Sequence, residues 1–174
     1  MTSSTELTTI IRKYLISQSE LNGQLVRDAA TQYGAYLDVN DHNDVFVSLA
    51  PTQTILFFEL KTRDSEANMT ETNDDLNETI TSINSYQLHI ITYGDNSNDV
   101  CNKLVARLRT ERIRNLLLSE GVYLCRISDI TRVNEFKNNV VWQRNDFDID
   151  LSCEFTFTQV AVDSAYAELN TITF

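Results

Sequence analysis

The chain has 174 residues, of which 25 are Asp or Glu and 14 are Lys or Arg, so its net charge is −11. This length suits one domain spanning residues 1–174, and a hydrophobic content of 42% is enough to bury a core. The negative charge argues against a protein that holds nucleic acid by neutralising phosphates, although an acidic surface is also an ordinary route to solubility.

The sequence lacks the usual signals for a membrane span, for export or for a bound cofactor. No apolar run approaches the roughly 20 residues needed to cross a bilayer, and residues 1–7 lack the basic-then-apolar layout of a signal peptide. Cys101, Cys125 and Cys153 are far apart and form no Cys-x-x-Cys, which predicts neither a disulfide framework nor a zinc site. We therefore expect a cytoplasmically made protein without cofactor or metal, whose three cysteines are buried apolar fillers.

The first part of the chain predicts one helix and two strands. Apolar residues at helical spacing from Leu7 to Leu15 predict an amphipathic helix over residues 4–17. Residues 45–47, followed by Pro51, predict a short strand that ends in a turn. The aromatic and branched run at residues 54–62 predicts a central strand.

Residues 63–79 predict a long acidic loop that is mobile until a partner orders it, because they contain little apolar surface. Its carboxylates are candidates for contacting a partner. They are Asp64, Glu66, Glu71, Asp74, Asp75 and Glu78.

The middle of the chain predicts a strand followed by a helix. Residues 80–93 predict the strand, which stops at Gly94. The apolar stripe from Val100 to Leu117 predicts a single helix, with Asn96 or Ser97 as its cap and Gly121 just past its end.

The last part of the chain predicts a long β-hairpin. Residues 122–130 predict a strand, residues 134–139 a polar turn, and residues 140–159 a second strand antiparallel to the first. Between residues 145 and 158 apolar and polar residues alternate almost without error, which gives this strand an apolar face and an acidic face. The predicted fold class is α+β, with a mixed and mainly antiparallel sheet whose long β-hairpin packs against two main helices.

Two charged surfaces of this fold are candidates for a contact between copies of the chain. Each could equally be an ordinary solvated face, which is common for helices and sheets of soluble proteins. In the alternative, the basic helix of one copy meets the acidic strand of the next and fixes their register. The residues concerned are Lys103, Arg107 and Arg114 on the helix and Asp146, Asp148, Asp150 and Glu154 on the strand.

An alternative function rests on Asp44, Glu59 and Lys61. Alternation places Glu59 and Lys61 on one face of their strand. Nucleases of the Asp…Glu-x-Lys type use two carboxylates to hold Mg²⁺ and a lysine to position the attacking water. A Glu-x-Lys pair on a solvated strand is commonplace, so the nuclease is the second hypothesis.

The second half shows a recognisable order of short motifs. A strand ends in Tyr93-Gly94, a polar turn and helix run to Leu117, residues 121–123 open the next strand, and residues 142–144 lead into the alternating strand. Over about residues 80–160 this order resembles the neck or tail terminator proteins of tailed bacteriophages. The acidic insertion at residues 63–78 and the single Pro51 depart from the family pattern.

The resemblance implies a structural virion protein without catalytic activity. It implies a homo-oligomer, a hexameric ring around the DNA path, that caps the tail tube and joins it to a head-completion or connector protein. A contractile tail would add contacts with the sheath protein. The resemblance further implies that double-stranded DNA passes through the lumen without specific binding, that no membrane is involved, and that assembly occurs in the cytoplasm of the bacterial host. In such a ring the acidic segment at residues 63–79 would line the lumen or contact a partner. A stopper or adaptor of the same neck is the neighbouring alternative.

Overall fold

A computed structural model of the chain describes residues 4–29, 53–63, 68–74, 77–137 and 140–160. Among these residues, helices and one mixed sheet confirm the predicted α+β class. The helices are α1 (Ser4–Ser19), α2 (Ser97–Leu108) and α3 (Glu111–Ser119), and a 3₁₀ turn spans Gly23–Leu25. The strands are β1 (Val26–Asp28), β2 (Ile55–Thr62), β3 (Asn68–Asp74), β4 (Asn77–Tyr93), β5 (Val122–Ile127), β6 (Thr131–Lys137) and β7 (Val140–Val160).

Two long strands form the middle of the sheet. β4 has 17 residues and β7 has 21, and they pair antiparallel from Asn77 opposite Val160 to Tyr93 opposite Arg144. β2 and then β1 lie beside the end of β4, β3 pairs with its start, and β5 and β6 both pair with β7. Of the described pairs only β1–β2 is parallel, which confirms the mainly antiparallel sheet and its long last strand.

One face of the sheet packs against the three helices. The alternating Phe147, Ile149, Leu151 and Cys153 of β7 are buried there, as the sequence predicts. Burying a side chain of this size stabilises the fold by about 1.5–3 kcal/mol. The helices contribute Leu7, Ile11, Leu15, Cys101, Leu104, Val105, Leu108, Ile113 and Leu117 to the same core.

The opposite face of the sheet is also buried at one end, which the sequence analysis missed. Ile55, Phe57, Ile91, Tyr93 and Trp142 are each at most 2% exposed. The rings of Phe57 and Tyr93 pack edge to face with their centroids 6.1 Å apart. The continuous apolar run that opens β2 is therefore a strand buried on both faces.

The single helix predicted up to Leu117 is wrong, because the structure has two. Thr110 adopts an extended backbone conformation and becomes the N-cap residue of α3. Its hydroxyl donates a 2.6 Å hydrogen bond to the carbonyl of Arg107 at the end of α2. This break places Lys103 and Arg107 on one helix and Arg114 on another, so the three basic residues do not lie on a single helix.

Two regions predicted to be loops contain strands. The acidic segment at residues 63–79 includes β3 and the start of β4, and the predicted turn at residues 134–139 includes the end of β6. β3 has polar residues almost throughout, so its sequence shows no apolar alternation that would predict a strand. Threonine and backbone pairing with a long neighbouring strand suffice to form it.

The cysteines follow the prediction only in part. Cys101 and Cys153 are buried, whereas Cys125 on β5 is exposed, so the expectation that all three are buried is wrong. The predicted strand at residues 45–47, Asp44 and residues 161–174 lie outside the described residues.

Candidate functional site

The predicted acidic face of β7 is countered by basic groups of the same chain. Arg144 Nε donates hydrogen bonds of 2.8 Å to both carboxylate oxygens of Asp146. His89 Nδ1 lies 2.7 Å from Asp148 Oδ1, and Arg63 Nη2 lies 3.0 Å from Asp150 Oδ1. These three aspartates therefore already have ionic or hydrogen-bonding partners on β4, on β7 itself and just after β2.

Arg144 forms the centre of a half-buried polar cluster. Its guanidinium also pairs with Glu135 of β6 and lies over the ring of Tyr93, whose hydroxyl donates a 3.2 Å hydrogen bond to Glu135. Burial alone would lower the pKa of Arg144, but its hydrogen bonds and charge contacts with Asp146, Tyr93 and Glu135 raise it. Burial raises the pKa of Tyr93 as well, so the phenol stays protonated as a donor.

The basic residues of α2 bind the end of α1. Arg107 pairs with Glu20 and donates a 2.6 Å hydrogen bond to the carbonyl of Gln18, and Lys103 Nζ lies 3.8 Å from Glu20. The hydrogen bond from Arg107 and the two positive charges lower the pKa of Glu20. Lys103 and Arg107 thus hold α1 and α2 together within one copy.

Arg114 and Glu154 differ from the other predicted interface residues. Arg114 is exposed on α3, and within the described part of the chain neither residue forms an ion pair. Glu154 lines an open cleft between the start of α1, the end of α3, and β5. Apolar Ile10, Leu118 and Tyr123 line this cleft together with Glu6, Glu120 and Glu154.

The acidic segment forms an antiparallel hairpin at the far end of the sheet from β2. Glu71 and Asp74 lie on β3 and Glu78 on β4, where Asp74 pairs with Asn77 in the backbone register. The buried core residues of β4 begin only at Tyr86. This β3–β4 hairpin therefore continues the sheet past the described helix-packed core. Asp64, Glu66 and Asp75 lie outside the described residues.

An exposed apolar pair at the opposite end was not anticipated. Phe136 of β6 and Val141 of β7 are directly opposite each other in the β6–β7 hairpin and are 69% and 59% exposed. The interpretation of residues 134–139 as a polar turn obscured this pair. The β-branched residues Thr131 and Val133 indicate a strand in the stretch that forms β6.

The residues of the alternative nuclease are only partly described. Glu59 and Lys61 share a face, as predicted, and form an ion pair with 3.1 Å between their charged atoms. Glu59 is buried and Asp44 lies outside the described residues. Among the residues that are described, no group of three or more His, Cys, Asp or Glu side chains is placed to hold a metal ion. No helix in that same part of the chain is long and apolar enough to span a membrane.

Comparison with known proteins gives one informative match. A search of curated proteins finds none that matches this chain. A family model described as phage neck terminator protein matches residues 5–174, which is nearly the whole chain. The match covers the first half as well as the motifs that carried the resemblance. The chain belongs to the phage neck terminator protein family and is a structural protein of the bacteriophage virion neck.

Proposed function

We propose that copies of this chain form a ring, by the family resemblance a hexamer, which caps the tail tube and joins it to the head around the DNA path. The observation that carries this proposal is the family match over residues 5–174. Each copy acts as a single domain, and the ring contacts the tail tube protein on one side and a head-completion or connector protein on the other. If the tail is contractile, the ring would also contact the sheath protein.

The charge of the chain suits a conduit for DNA. With a net charge of −11 per copy, a ring repels the phosphate backbone, so that duplex DNA slides through without specific binding. The β3–β4 hairpin is the best candidate for lining the lumen, because it extends past the core and carries Glu71, Asp74 and Glu78. Asp64, Glu66 and Asp75 belong to the same acidic segment by sequence.

The long sheet is suited to contacts at both ends of a subunit. At about 3.3 Å per residue, β4 alone spans roughly 50 Å. Charged contacts between copies then fix register and orientation. Of the predicted interface residues, Arg114 and Glu154 are the best candidates, because Lys103, Arg107, Asp146, Asp148 and Asp150 already bind partners within one copy.

Tail growth would stop because the ring matches the last layer of the tube and offers no further tube-like surface. Assembly would take place in the cytoplasm of the bacterial host, and the mature protein would reside in the virion neck. This role needs surfaces that bind neighbours and requires no catalytic group.

Light scattering of purified protein, alone, with tail tube protein and with connector protein, tests the proposal. We expect the mass of a hexameric ring, alone or seated on the tube. Arg114→Glu should reduce ring formation, whereas Arg126→Glu, the same change at an exposed position on β5, should not. A single copy that binds neither tube nor connector protein would contradict the proposal.

A further inference from the structure

We draw no further inference here: the strongest candidate, the exposed apolar pair of Phe136 and Val141 on the β6–β7 hairpin, carries none because nothing in the described part of the chain shows what covers it.

Discussion

The guanidinium of Arg144 lies 5.9 Å from the centre of the Tyr93 ring, directly opposite it in the β4–β7 register. The same guanidinium binds Glu135 and Asp146, whose side chains are only 18% and 14% exposed. One arginine therefore joins β4, β6 and β7 at the base of the β6–β7 hairpin.

Replacing Arg144 should be costly because it takes a counter-charge away from two poorly solvated carboxylates. We expect Arg144→Met to lower the free energy of unfolding by about 2–3 kcal/mol, below the cost for a fully buried pair because the cluster is partly solvated. Arg132→Met, at an exposed arginine of β6 that binds the neutral Asn98, should cost less than about 1 kcal/mol. Urea denaturation measures the free energy of unfolding of both variants. An equal loss in the two would contradict a stabilising role for the Arg144 cluster.

Gly94 should tolerate no side chain. Its φ of +111° is strained for other residues, and an added Cβ would lie 2.2 Å from the backbone oxygen of Gln53. We expect Gly94→Ala to destabilise the protein by about 2–4 kcal/mol. Gly121→Ala, where φ is +76° but the nearest atom is 3.8 Å away, should cost about 1 kcal/mol. Thermal unfolding of both variants measures the difference, and a larger loss for Gly121→Ala would contradict the close approach of Gly94 to Gln53.

Cysteine reactivity should separate the exposed thiol from the buried ones. Burial raises the pKa of Cys101 to about 11 and that of Cys153 to about 12, so both remain thiols at neutral pH. Cys125 on β5 is exposed. We expect a maleimide to modify native protein at Cys125 at least about tenfold faster than at the other two. Labelling followed by peptide mass spectrometry checks this, and comparable rates would show that the core is open.

The sequence predicts most of the elements that have an apolar signal. α1, β2, β4 and β7 all appear where helical spacing or alternation places them. The two predictions of loops were wrong because these strands lack a buried apolar face. β3 is polar almost throughout, and the apolar side chains of β6 are exposed to solvent. Both strands form by pairing with β4 and β7, and local periodicity does not record pairing with a distant strand.

The sequence predicted which charged residues share a face of a strand, but not which residues of the same chain bind them. Alternation placed Asp146, Asp148 and Asp150 on one face correctly, yet nothing in their spacing indicated Arg63 and His89 as their neighbours. The helix break at Thr110 also places Arg114 on a different helix from Lys103 and Arg107. Contacts between residues far apart in the chain depend on the fold, so these ion pairs within one copy could not be predicted from the sequence.

The alternative nuclease makes a separate prediction. Glu59 is buried in an ion pair with Lys61, so we expect purified protein to leave supercoiled plasmid intact in Mg²⁺ or Mn²⁺. Glu59→Ala and the control Glu154→Ala should both match the wild type in this assay. Nicking that requires metal and disappears only in Glu59→Ala would support the nuclease instead.

Immunogold electron microscopy of mature phage particles shows where the protein lies in the virion. We expect gold only at the joint between head and tail, on particles whose tails have normal length. Gold elsewhere on the particle, or particles without this protein, would contradict it.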